Sequence, residues 1–182
     1  MRDSIIYLIG FSGTGKTTIG KELSKILDIP FLDMDSKIEK LQNESISSIF
    51  KNLGEDQFRK METDIIRSVA LVSNQDSRYS QVVSTGGGVW SNPENREIMS
   101  HSGIVVCLNA SPETILMRLE EQHANEGSVA DRPMLNSGQN SLETIKKLLE
   151  VRYKDYIKAD FIVNTDYRNT LDIAMEIVDL LK

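Results

Sequence analysis

Eight residues near one end of the chain, Gly10-Phe11-Ser12-Gly13-Thr14-Gly15-Lys16-Thr17, constrain the fold more than any other segment. They fit G-x-x-x-x-G-K-[ST], follow an apolar, β-branched run at 4–9, and precede a helical pattern carrying Ile19, Leu23, Ile26 and Leu27. In that setting the glycines let backbone N–H groups turn inward around phosphate oxygens, and the following helix points its positive end at them. The motif is a phosphate-binding P-loop, which assigns Gly13, Thr14, Gly15, Lys16, Thr17 and Thr18 to ATP. Lys16 reaches the β and γ phosphates and Thr17 ligates magnesium.

The remaining segments supply the sheet this unit needs. Short β-branched runs at 4–9, 30–32, 81–84, 104–108 and 161–163 read as five buried parallel strands. Helical patterns cover 16–27, 36–42, 47–72, 93–99, 112–121, 142–157 and 170–181. Ser111-Pro112 is a good helix start, because Ser caps the first turn and Pro lacks an N–H that would be orphaned anyway. This alternation argues an α/β fold of three layers, with helices on both faces of the sheet and ligands beyond the strands' carboxyl ends. One domain over 1–182 suffices. Residues 122–140 are polar, contain Gly127, Pro133 and Gly138, and read as a long loop of the kind that serves as a lid. Residues 73–80 read as a plain helix-to-strand connection.

Charge narrows the partners. Lys and Arg number 21 against 27 Asp and Glu, a net charge of -6. Nucleic acid is therefore not expected, and an anionic substrate must be drawn in by a local field. No apolar run approaches the ~20 residues that span a bilayer, so no membrane partner is expected. The start of the chain shows no secretory pattern, and the single cysteine, Cys107, lies in an apolar run as a buried thiol. A cytoplasmic location is the expectation.

A P-loop leaves the acceptor open: water in a switch GTPase or motor ATPase, or the hydroxyl of a second substrate in a small kinase. Neither Asn-Lys-x-Asp nor Asp-x-x-Gly occurs in the chain, and no accessory region suits a motor. A small-molecule kinase leads. After the second strand comes Asp33-Met34-Asp35. In extended backbone residues two apart face one side, which would aim both carboxylates at one space, for magnesium's water shell and for the acceptor hydroxyl.

At this point the chain resembles the shikimate kinases. The resemblance rests on Gly10 to Thr17, Phe31-Leu32-Asp33-Met34-Asp35 with Ile38-Glu39, and Ile49-Phe50 with Gly54-Glu55 and Phe58-Arg59. It continues through Gly86-Gly87-Gly88 and Arg132-Pro133-Met134-Leu135 to Arg152 with Tyr156, in the family's order. It implies a five-stranded parallel sheet of order 2-3-1-4-5, a substrate-binding region at about 33–72, a lid at about 122–136, and a monomer. It also implies Mg2+-dependent transfer of the ATP γ-phosphoryl group to the 3-hydroxyl of shikimate, on the way to chorismate. Asp35 would bind the hydroxyls and serve as base, and Asp33 would reach magnesium through water. Arg59 and Arg152 would take the carboxylate, with Glu62 holding Arg59 in aim and Gly86, Gly87 and Gly88 lying against the ring. Arg132 would close over the phosphates with the lid, and Arg118 and Arg168 would flank the adenine. The 122–131 stretch is longer and more acidic than the family pattern, and Met134 stands where leucine is usual. His101 and His123 match no site. The rival readings are a kinase of gluconate or of a nucleoside monophosphate, and a catalytically silent binding module of the same family.

Overall fold

The computed structural model describes residues 5–71, 78–126 and 142–182, without the side chains of 123, 125 and 126. Its elements are β1 (Ile5–Ile9), α1 (Lys16–Leu27), β2 (Phe31–Asp33), α2 (Met34–Gln42), α3 (Ile46–Ala70), β3 (Gln81–Ser84), α4 (Pro93–Ser102), β4 (Gly103–Asn109), α5 (Pro112–Glu126), α6 (Leu142–Tyr156), β5 (Phe161–Asn164) and α7 (Thr170–Leu180). All pairings are parallel and the strand order is β2-β3-β1-β4-β5.

β1 is the middle strand, and each of its five residues is buried. A strand sends alternate side chains to opposite faces, and β1 divides the core accordingly. Tyr7 and Ile9 join Met34, Ile49, Phe58, Ile66 and Trp90 under α2, α3 and α4. Ile6 and Leu8 join Leu23, Val106, Ile173 and Ile177 under α1 and α7. With both faces covered, strands this apolar are stable only inside such a sandwich.

Several boundaries depart from the sequence pattern. α2 starts at Met34 rather than 36, because the Asp33 carboxylate caps it, accepting from Ser36 N at 3.1 Å. α3 is broken at Gly54, whose φ of 80° and ψ of 170° let the chain bend and restart its helix at Glu55. A 3-10 turn at Val89–Ser91, which periodicity does not reveal, follows the triple glycine. α5 runs to Glu126, five residues into the stretch that reads as loop. The Ser111 cap does form, with Thr114 N donating to its hydroxyl at 3.2 Å.

Candidate active site

The site is assembled at the carboxyl ends of β1, β2 and β3. Beyond β1 the chain turns back through Gly10, Gly13 and Gly15, at φ of 136°, 82° and 92°. Thr14 N and Oγ1 both donate to Phe11 O, at 3.3 and 2.8 Å, which tightens the loop. Lys16 Nζ donates to Gly10 O at 3.0 Å and to Phe11 O at 2.8 Å, so the cation lies folded over the loop's own carbonyls. Thr17 Oγ1 donates to Asp33 Oδ2 at 2.6 Å and stands 3.4 Å from Ser84 Oγ.

Asp33 and Asp35 open on the same cavity of about 550 Å³ as Lys16, Thr17, Thr18 and Gly87. Strand alternation is not the reason they converge. Asp33 ends β2 and caps α2, whereas Asp35 sits in the first helical turn, so the strand-to-helix corner aims the pair. The donor set beside Thr17, a hydroxyl and carboxylates, consists of hard oxygens of the kind Mg2+ takes together with water and phosphate.

Two guanidinium groups converge on the triple glycine. A Cβ placed on Gly88 would stand 2.8 Å from Arg59 Nη1. Arg59 Nη1 donates to Glu62 Oε2 at 2.7 Å, while Nε and Nη2 donate to Glu55 Oε1 at 3.2 and 3.0 Å. On the other side of the turn, Arg152 Nη1 donates to Gly87 O at 3.1 Å and its guanidinium lies 5.1 Å from the Phe11 ring centre. Tyr156 OH shares the same carbonyl, also at 3.1 Å. Gly86 and Gly88 thus make room for the protein's own Glu62 and Arg59, since a Cβ on Gly86 would stand 2.5 Å from Glu62 Oε1. Burial pushes the Glu62 carboxyl up, the Arg59 guanidinium pulls it down, and Asp35 and Glu55 raise it again, leaving it at about 7.

On the far side of the cavity, Arg118 is pinned by Thr165, Nη1 to Oγ1 at 3.0 Å and Nη2 to the carbonyl at 2.7 Å. Arg168 donates to Asn164 O at 3.1 Å and pairs with Glu176. Both line the cavity. Arg132 and most of the 122–136 lid lie outside the described residues, as does the side chain of His123. His101 is exposed, and its Nδ1 lies 2.7 Å from Glu97 O within α4, with no part in the cavity.

Sequence reasoning gave no site role to Phe11 or Thr165, which support Arg152 and Arg118, and named Tyr156 only as part of the family pattern. Phe11 was visible as the aromatic inside the P-loop, but its partner 141 positions away was not. No spacing signals Thr165. Among the described residues no group of three or more His, Cys, Asp or Glu gathers as a metal site.

Comparison with known proteins bears on the whole arrangement. A family model described as shikimate kinase matches residues 12–182. The shikimate kinase of Thermus thermophilus is 39% identical over 178 residues, covering 98% of this chain and 90% of that one. The structure of shikimate kinase from Acinetobacter baumannii in complex with shikimate superimposes with a TM-score of 0.86 at 31% identity, over 98% of this chain and 92% of that one. A gluconokinase from Sinorhizobium meliloti, at 18% identity and a TM-score of 0.59 over 99% of this chain and 92% of that one, shares the fold alone.

Proposed function

Because this chain belongs to the shikimate kinase family, we propose that it moves the γ-phosphoryl group of ATP to the 3-hydroxyl of shikimate, giving shikimate 3-phosphate and ADP. It is an ATP-dependent phosphotransferase acting on an alcohol. The observation that carries the reading is the convergence of Arg59 and Arg152 on one glycine turn, beside a cavity that Lys16 and Asp35 share. A ring acid with several hydroxyls needs both parts: planar cations whose paired donors match a carboxylate, and an acceptor for an alcohol O–H.

The roles follow from the chemistry of each group. Gly13, Thr14, Gly15 and Thr18 cradle the phosphates with their backbone amides, and Lys16 leaves the loop carbonyls for the β and γ oxygens. Thr17, and Asp33 through water, would hold Mg2+, which when bound offsets charge on the phosphates. Arg59 and Arg152 clamp the carboxylate, Glu62 fixes Arg59, and the backbone of Gly86, Gly87 and Gly88 admits the ring closely. Asp35 orients the 3-hydroxyl and takes its proton as that oxygen bonds to phosphorus and the bond from phosphorus to ADP breaks. Arg118 and Arg168 border the adenine. We place Arg132 among the phosphate contacts, with the 122–136 segment excluding water that would otherwise accept the phosphoryl group. The single buried thiol is in keeping with a reducing cytoplasm.

One panel tests the reading: ADP release by purified protein offered shikimate, gluconate or a nucleoside monophosphate. Turnover with shikimate alone is expected, abolished to within orders of magnitude by Arg152→Ala in protein whose circular dichroism is unchanged. Turnover with gluconate, or none with any acceptor, would overturn it.

A further inference from the structure

Two carboxylates, Glu55 and Glu62, share the single Arg59 guanidinium, an excess of one negative charge over that arginine. Glu62 is 1% exposed, and its Oε2 takes Arg59 Nη1 at 2.7 Å. Its Oε1 is buried with no hydrogen-bond partner among the described residues. The same oxygen and Asp35 Oδ1 face one spot above Gly86, where a Cβ would stand 2.5 Å from the first and 3.2 Å from the second. Glu55 takes two further Arg59 donors from the exposed side. Glu55 and Glu62, both on the limb of α3 that restarts after Gly54, therefore share one guanidinium, Asp35 stands beside Glu62, and Arg152 lies across the Gly87 turn.

A carboxylate substrate entering between the two guanidinium groups adds another negative charge to this excess. Like charges this close disfavour one another's ionisation, most of all where a carboxylate is buried. A buried carboxylate oxygen without a donor is also the most costly place in the cluster to leave an electron pair unmatched. Glu62 Oε1 meets both conditions, whereas Glu55 is half exposed and solvated.

Building on the shikimate reading, we propose that Glu62 takes up a proton on Oε1 as the acceptor's carboxylate binds, so that the substrate meets a neutral Glu62 and an Arg59 whose charge is released to it. The bond formed is O–H at Oε1 and the proton comes from solvent; no substrate bond changes. The neutral acid then offers its O–H to the spot above Gly86 that Asp35 also faces. A carboxyl already poised at about 7 needs only a modest further rise to carry a proton at neutral pH. Glu62 is on this account a positioning residue whose protonation state sets affinity.

The test is calorimetric titration of the full chain with shikimate at pH 7.5, in HEPES and in Tris, whose heats of protonation differ. The expected result is a buffer-dependent heat corresponding to uptake of roughly half a proton or more per shikimate bound. Above neutrality, affinity should fall toward tenfold per pH unit. Glu62→Gln, which cannot titrate, should take up no proton on binding shikimate and should lose the fall of affinity above neutrality. Wild-type binding heats that are the same in both buffers would overturn the proposal. So would undiminished uptake in Glu62→Gln, or a folded Glu62→Gln protein that no longer binds. If that variant does not fold, the wild-type arm decides alone. Failure of the wild type to bind shikimate at all would instead sink the functional reading on which this rests.

Discussion

Replacing Gly88 with alanine tests the geometry of the anion clamp without touching a charged group. Gly88 has φ of -107°, a conformation alanine adopts without strain, so the backbone should survive the change. The new methyl would stand 2.8 Å from Arg59 Nη1, 3.0 Å from Cζ and 3.1 Å from Nη2. An ordinary contact is about 3.5 Å, so the guanidinium must retreat by about 0.7 Å. Arg59 is the far end of a flexible side chain, yet Glu62 at 2.7 Å and Glu55 at 3.0 Å hold it in place, and retreat loosens its fork. Losing one charge-assisted hydrogen bond to the substrate carboxylate costs about 1.5–3 kcal/mol. That corresponds to a fall of roughly ten- to 150-fold in kcat/KM for shikimate. Initial rates of ADP release with each substrate varied in turn should show this loss, while KM for ATP stays within about twofold. An unchanged shikimate KM, or an equal loss against ATP, would refute the placement of Arg59 against this turn.

Other outcomes follow from the same structure. Asp35→Asn should lower kcat by at least about 100-fold with little change in ATP binding, read by the same assay, since an amide cannot take the proton. Gly10→Ala should destabilise the protein by at least about 2 kcal/mol in a urea titration, because φ is 136° and its Cβ would stand 2.3 Å from Leu108 O. Burial raises the Cys107 thiol to about 12, so an aromatic disulfide reagent at pH 8 should leave native protein unlabelled and modify one thiol on unfolding. Glu62 binds its proton more tightly folded than unfolded, with values of about 7 and 4.5. Its contribution to stability is therefore fully present below about 4.5 and lost as pH rises through about 7. The melting temperature of Glu62→Gln relative to wild type should accordingly climb from pH 5 to pH 8, and a flat difference would contradict the burial of that charge.

What was legible in the chain was whatever local chemistry determines. The P-loop declared itself because a strand, three spaced glycines and a lysine are contiguous, and the Ser111 cap because its signal spans four residues. The order of the strands was not readable from periodicity, since parallel strands pair over gaps of many tens of residues; the family pattern supplied it. Asp33 shows how a correct pairing can rest on the wrong cause. Its spacing from Asp35 suggested strand alternation, but its capping of α2 starts the helix at Met34, two residues earlier than the pattern. The helical pattern at 47–72 runs across Gly54 without a break, because nothing local announces a φ of 80°. The supports of Arg152 are contacts across the fold, Phe11 by its ring and Gly87 by its carbonyl, and no spacing rule reaches them.

The middle place of β1 in the sheet has a consequence for biosynthesis. It leaves the ribosome ahead of both its neighbours, β3 at 81–84 and β4 at 103–109. At about 5–20 residues per second, five consecutive apolar residues wait roughly 5 to 20 s for their second hydrogen-bonding flank. During that interval the nascent chain carries an apolar strand with at least one edge unpaired, so the yield of active enzyme should depend on translation speed and on holdase chaperones more than the stability of the finished molecule would suggest.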